Sequence, residues 1–338
     1  MSDVDAMGRR PVGVREVAAR AGVSRQTVSR VLNEHPEVAA DTRERVLAAM
    51  AELGYRVNNA ARALGTRRSR TLGVLASDAL QYGPSRSLAA IEARARGAGY
   101  WVSAAFADAG DAAAVVAAVQ HLVSQGVEGI VVVAPHARTL DALDALQIGV
   151  PIVTLHASGR GMRGLSVDQA AGARLAVAAL ADAGHTRIAH LAGPADWLEA
   201  ESRAEGYAQE LAARGMPDGP VIVGDWSAAS GRAAAAAVRE LGVTAVFSAN
   251  DQMALGLITG LREAGLDVPR DVSVVGFDDV PDAEHYWPPL TTVRQDFDEL
   301  ARRAVAAVIG EAAAPRDPVR PVLCARASIA PVRAGRPH

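Results

Sequence analysis

Along the first 55 residues apolar side chains recur three and four positions apart. In VREVAARAGVSRQTVSRVLN, Val14, Val17, Ala18 and Ala21 share one helical face. Gly22 stops that helix, because glycine enters the left-handed conformation at little cost. Ser24 is placed to cap a second helix by accepting the backbone N–H of Thr27. Val28, Val31 and Leu32 form the buried stripe of that helix. Two short helices joined by a Gly-containing turn predict a helix-turn-helix. A third helix is expected from Asp41 to Leu53, with Val46, Leu47, Met50 and Leu53 inward and Gly54 ending it.

The stretch YRVNNAARALGTRRSR (55–70) has no large apolar cluster and reads as a linker holding one short helix, Asn58 to Leu64. From Thr71 the pattern alternates. Apolar, β-branched runs (TLGVLAS, GIVVV, PIVTL, RIAHLAG, AVFSA, VSVVGF) separate helical stretches. Continuous apolar strands between helices predict parallel sheets covered on both faces. The expected fold is an N-terminal all-α helix-turn-helix headpiece followed by an α/β core of two doubly wound parallel-sheet lobes.

Composition changes this picture in one respect. Hydrophobic residues make up 50% of the chain and charged residues 22%, as in a soluble globular protein. Net charge is −3, but it is unevenly spread. Residues 1–70 carry 13 arginines against 8 carboxylates, and the remainder 22 against 30. A basic head on an acidic body suits a nucleic-acid-binding module joined to an effector domain. The chain has no lysine, so each cationic side chain is a guanidinium suited to bidentate contacts. No apolar run reaches the roughly 18 residues of a membrane span, and MSDVDAMGRRPVG lacks the apolar stretch of a secretory signal. With a lone Cys324 these features predict a cytoplasmic protein without disulfides.

Ser24, Arg25, Gln26, Ser29, Arg30 and Asn33 form the polar face of the second helix. By pattern alone this is either a solvated face or a DNA-reading one. In a helix-turn-helix the first residues of this helix meet base edges in the major groove. Arg25 suits guanine and Gln26 adenine. Ser29, Arg30 and Asn33 are better placed for phosphates or groove edges.

REVAARAGVSRQTVSRVLN and TRERVLAAMAELGY resemble the headpiece of the LacI/GalR family of repressors. The similarity continues through GDWSAASG, ANDQMALG, DVSVVGFDD and PPLTTVRQDF, covering residues 14 to about 310. The resemblance implies a headpiece over residues 1–57, a hinge helix and linker over 58–70, and a periplasmic-binding-protein-like core over 71–338. Within the core it implies an N-lobe of about 71–165 and 296–322 and a C-lobe of about 166–295 and 323–333. It adds Arg15, Thr42 and Tyr55 to the DNA-contacting set. It also assigns Asn58, Ala61 and Leu64 to a hinge that enters the minor groove, with Leu64 as a wedge between base steps. Val57 departs from the pattern, since a proline often precedes the hinge.

In open α/β sheets ligands sit beyond the carboxyl ends of the strands. Ser77 and Asp78 follow TLGVLA, Asn250 and Asp251 follow AVFSA, and Asp278 and Asp279 follow VSVVGF. Arg203 is expected to open a helix after the loop GPADWLEAES, and Trp226 in GDWS offers an aromatic face for a sugar. The resemblance implies that Arg203, Asn250 and Asp278 hydrogen-bond an effector and that Trp226, Gln295 and Phe297 line its pocket. Each polar residue also fits a turn or cap, and Asp251 fits a helix N-cap. Three positions depart from the family pattern. His156 stands for a sugar-binding aspartate, Val133 for an asparagine and Gln81 for a leucine. A remodelled N-lobe predicts a different sugar, such as a disaccharide or another glycoside, although His156 also fits a structural role.

Gly159, Gly161 and Gly164 spell G-x-G-x-x-G after PIVTL, but extended LSVD precedes the next helix near Gln169. A pyrophosphate would find no helix N-terminus there. No catalytic residue, metal site or cofactor is expected. The expected function is a repressor that binds a palindromic operator in double-stranded DNA as a homodimer and is released by a mono- or disaccharide, with no membrane partner. Corepression by a sugar or purine stays open, and so does a non-regulatory sugar-binding protein. The ending SIAPVRAGRPH lacks leucine heptads, which predicts that assembly stops at a dimer.

Overall fold

A computed structural model describes residues 12–32, 35–55, 68–134, 136–156, 164–311, 315 and 317–332. Asn33, Val57, Asn58, Ala61, Leu64, Gly159 and Gly161 lie outside the described residues, as does the expected hinge helix. The chain divides into two compact units, residues 1–69 and 70–338.

In the first unit α1 (Val14–Ala21), α2 (Arg25–Leu32) and α3 (Ala40–Leu53) pack around Val17, Ala18, Val28, Val31, Val46 and Ala49. Gly22 and Gly54 end α1 and α3 at φ 65° and 62°. The Ser24 hydroxyl accepts the Thr27 N–H at 3.0 Å. One expectation for α3 is corrected. Leu47 is 50% exposed, and Ala49 is buried in its place. The helix turns its Val46–Ala49–Met50–Leu53 edge inward, which places Leu47 past the rim of the contact.

The second unit holds two sheets. The N-lobe sheet has the order β2-β1-β3-β4-β5. It comprises β1 (Thr71–Ala76), β2 (Trp101–Phe106), β3 (Ile130–Val133), β4 (Ile152–Leu155) and β5 (Gly164–Leu165), all parallel. Helices α4 (Tyr82–Gly97), α5 (Ala112–Ser124) and α6 (Ala137–Asp144) connect its strands. The C-lobe sheet runs β11-β10-β9-β8-β6-β7. Its strands are β6 (Ile188–Ala192), β7 (Val221–Val223), β8 (Ala245–Ser248), β9 (Ser273–Asp278), β10 (Thr291–Arg294) and antiparallel β11 (Val322–Cys324). Helices α7 (Gln169–Asp182), α8 (Leu198–Ala213), α9 (Ala228–Leu241) and α10 (Asp251–Glu263) cover it. The last helix, α11 (Phe297–Ile309), returns to pack on α4 and the N-lobe strands.

The chain thus passes between lobes three times: near Ser166–Asp168, near Gln295–Asp296, and between Val319, bridged to Val167, and Val322, paired with Arg294. Helices α9 and α10 approach closely because Gly256 on α10 faces the backbone carbonyl of Ala228, where a Cβ would overlap it. His190 is stacked between Tyr207 and Phe247, and burial pushes its pKa down to about 4, so it is a neutral core residue.

Candidate functional site

On the headpiece, Arg15, Ser24, Arg25, Gln26, Ser29 and Arg30 are exposed, while Thr42 and Tyr55 are half-buried. The same α2 that buries Val28 and Val31 therefore turns Arg25 and Gln26 to solvent from its first turn.

Between the two sheets lies a cavity of about 690 Å³, mouth included. It forms where strands β1, β3, β4, β8 and β9 end and where the interlobe passages run, so both lobes supply its walls. Of the nine residues expected from the sequence, eight line it: Gln81, His156, Arg203, Trp226, Asn250, Asp278, Gln295 and Phe297. Val133 lines it as well. Ser77 does not. It is buried, and its N–H donates to the carbonyl of Val133.

The polar centre is a buried network. Arg203 Nε donates to Gln169 Oε1 at 2.9 Å, and Nη1 donates to the carbonyl of Ala249. Its Nη2 stands 3.7 Å from Asp278 Oδ1, and its guanidinium lies 3.9 Å over the Phe277 ring. Gln295 Nε2 donates to Asp278 Oδ1 at 2.6 Å, and Gln295 Oε1 accepts from Gln169 Nε2 at 2.7 Å. Burial raises the Asp278 pKa to about 6, against the pull of Arg203 and Gln295. The group is thus held near the boundary between carboxylic acid and carboxylate.

Asn250 caps α10, its Oδ1 accepting from Met253 N–H and its Nδ2 donating to the Trp226 carbonyl. The cap is therefore Asn250 and not Asp251. Asp251 is fully buried and accepts from the Thr292 hydroxyl at 2.6 Å and the Val280 N–H at 2.9 Å. Burial first, and the charge of Asp278 second, push its pKa well above the usual carboxylate range.

The apolar walls exceed what the sequence suggested. Trp197 meets Trp226 edge-on at 5.3 Å, and Tyr82 meets Phe297 edge-on at 6.1 Å. Gly193 makes room for the Trp226 ring, since a Cβ there would overlap the indole. The Trp226 Nε1–H is buried with no partner. His156 is 2% exposed, and its ring rests on Gly164, where a Cβ would come within 2.8 Å of Nε2. That packing supplies a physical reason for glycine at 164, independent of any phosphate loop. Trp197, Gln169, Tyr82 and Glu199 were missed. An aromatic in the loop after strand RIAHLAG, six residues before Arg203, was the available signal for Trp197.

Among the described residues no group of three or more His, Cys, Asp or Glu side chains could hold a metal. No helix there is long and apolar enough to cross a membrane.

Residues 14–58 match the family of bacterial regulatory proteins of the lacI type, and residues 177–329 match a periplasmic binding protein-like domain. The chain is 39% identical over 304 residues to the lactose operon repressor of Escherichia coli, covering 88% of this chain and 83% of that protein. It is 37% identical over 341 residues to the transcriptional regulator CelR of Thermobifida fusca, covering 93% and 96%. A lac repressor dimer bound to operator and the anti-inducer ONPF superposes with a TM-score of 0.85 at 35% identity, over 95% of this chain and all of that one. A CelR–cellobiose complex gives 0.68 at 32% identity, over 94% and 100%. With a helix-turn-helix presenting Arg25 and Gln26, a cavity between the two lobes, and these relatives along nearly its whole length, the chain belongs to the LacI family of bacterial transcription regulators.

Proposed function

We propose that this protein is a cytoplasmic transcriptional repressor that binds a pseudo-palindromic operator as a homodimer and is released by a sugar or glycoside. Residues 1–57 hold the DNA-reading face, and residues 71–338 hold the effector site. Arg25 and Gln26 read base edges, and Arg15, Ser24, Ser29, Arg30, Thr42 and Tyr55 hold the headpiece on the backbone. Arg203, Asn250 and Asp278 bind hydroxyl groups, while Trp226 and Phe297 cover apolar ring faces. Closing the lobes on the effector changes operator affinity only insofar as the effector prefers one lobe arrangement.

The observation that carries this reading is the pairing of the buried Arg203–Asp278–Gln295–Gln169 network with flanking indole rings in one cavity. Alternating donors and acceptors beside aromatic walls are what a polyhydroxylated, uncharged ring requires. An enzyme reading has no support from the relatives, which are regulators. The test is a band-shift of DNA from upstream of the gene, titrated with mono- and disaccharides. The expected result is a shifted band that at least one saccharide abolishes. A band that no saccharide weakens overturns induction by sugar, and one that saccharide strengthens makes the protein a corepressed regulator.

A further inference from the structure

Gln169 and Gln295 stand where the chain crosses between the lobes. Gln169 is the first residue of α7, directly after the passage near Ser166–Asp168. Gln295 follows β10 and begins the passage that leads into α11. Helix α7 lies close over β9 and β10, because Gly172 presses on the Phe277 ring, where a Cβ would overlap it. That approach lets the two buried amides meet, Gln169 Nε2 donating to Gln295 Oε1 at 2.7 Å. The third passage is tied to the first by backbone alone. Asp168 N–H donates to the Val319 carbonyl at 2.9 Å, and Val319 N–H to the Ser166 carbonyl at 2.8 Å.

We propose that the Gln169–Gln295 pair is the joint that couples effector binding to the interlobe passages, with Gln169 as a positioning residue. This rests on the sugar reading of the cavity and names the element through which occupancy is felt.

Hydrogen-bond polarity carries the argument. A guanidinium only donates, and an ionised carboxylate only accepts. Arg203, in the second turn of α8 and not at its start, donates through Nε to Gln169 Oε1. Gln169 Nε2 donates to Gln295 Oε1, and Gln295 Nε2 donates to Asp278 Oδ1. Each amide therefore has one permitted orientation, set from the charged ends, and successive bonds polarise one another. The ends, Arg203 and Asp278, are the side chains assigned to the effector. The middle contact holds two passages at a fixed spacing. A hydroxyl that draws on Arg203 or Asp278 changes the strength of the bonds behind it, and the spacing of the passages acts back on the site by the same free energy.

Gln169→Glu tests the joint. It keeps an oxygen for Arg203 but replaces the amide donor with an acceptor. One contact must then set oxygen against oxygen, either at Gln295 or, if the Gln295 amide turns over, at Asp278. Protonating Asp278, whose pKa burial raises to about 6, supplies the missing donor. Arg203 and Asp251 are the charged groups that act on this carboxyl or are acted on by it. In the wild type the protonated group still accepts through its other oxygen, so the chain stays intact. Gln169→Met removes both bonds of Gln169, and no proton replaces them.

Two readouts on the full-length protein decide the matter. Hydrogen exchange at the Asp168 and Val319 amides, corrected for the intrinsic effect of pH, needs no ligand. At pH 8 both variants are expected to exchange about fivefold faster than wild type, the worth of one neutral hydrogen bond. At pH 5 Gln169→Glu is expected to return toward the wild-type rate and Gln169→Met is not. The second readout is the ratio of affinities for DNA from upstream of the gene without and with saturating lactose, cellobiose or maltose. It is expected to shrink about fivefold in both variants at pH 8 and to recover at pH 5 only in Gln169→Glu. A Gln169→Glu defect equal at both pH values overturns the joint, since the residue would then be a structural prop. Wild-type exchange in both variants also overturns it, and so does an unchanged affinity ratio. If none of the saccharides weakens the wild-type DNA complex, the sugar reading falls, and the exchange rates alone decide whether the pair joins the passages.

Discussion

Replacing Arg203 by methionine keeps the apolar stem over Phe277 and deletes the guanidinium. Two effects separate by pH. The first is loss of the donors to Gln169 and to the Ala249 carbonyl. Hydrogen bonds from a charged group contribute about 1.5–3 kcal/mol each, and this loss is independent of pH in the neutral range. The second acts through Asp278. Its folded pKa, about 6, already lies above the ordinary 3.8 because of burial, and Arg203 is the main opposing influence. A carboxyl with a raised folded pKa stabilises the fold relatively below its unfolded pKa, and that advantage disappears as pH rises through the folded value. Without Arg203 the folded pKa rises further, and each added unit costs about 1.4 kcal/mol once pH exceeds it. At pH 5 the carboxyl is mostly protonated in both proteins, so only the first effect remains. At pH 7.5 both apply, and the loss is expected to exceed that at pH 5 by about 1.4 kcal/mol for each unit by which the Asp278 pKa rises. Urea unfolding followed by tryptophan fluorescence suits the measurement, because Trp101, Trp197, Trp226 and Trp287 all lie outside the headpiece. A destabilisation equal at pH 5 and pH 7.5 would refute the assignment of Asp278 as the group that Arg203 compensates.

Two further outcomes are expected. Arg25→Ala should relax base preference at one operator position, costing about 1–3 kcal/mol there, and an unchanged consensus from a randomised-site selection would exclude Arg25 as a reader. Gly256→Ala should destabilise the core by about 1–3 kcal/mol, because the methyl meets the Ala228 carbonyl and this outweighs its roughly 1 kcal/mol gain in helix propensity. Gly97→Ala, which opens onto free space, is the control and should cost nothing in the same thermal melt.

Local order was legible in the chain because its causes are local. The Ser24 cap, the Gly22 and Gly54 stops and the buried stripe of α2 each depend on residues within one or two turns. The apolar strand runs identified the parallel sheets, since a strand covered on both faces has to be apolar throughout. The rim of a contact is a different matter. Leu47 satisfies the helical period yet is exposed, because its burial depends on how far α1 and α2 extend over α3.

Eight of the nine residues expected at the effector site line one cavity, which periodicity could not have shown. Those residues are up to about 200 positions apart and meet only because strand ends and interlobe passages converge. Ser77 shows the limit, standing at a strand end as predicted yet outside the lining. Only the tertiary structure decided that Trp197 joins Trp226 as a wall, that Asp278 is held near pKa 6, and that Gln169 meets Gln295 between two interlobe passages. Burial and long-range partners set these properties, and neither is a property of any short stretch of chain. The sequence by itself determined which elements form and what chemistry they carry. The packing of two lobes determined which of those groups face one another across the cleft, because that depends on how the two sheets approach and not on the order of residues within either.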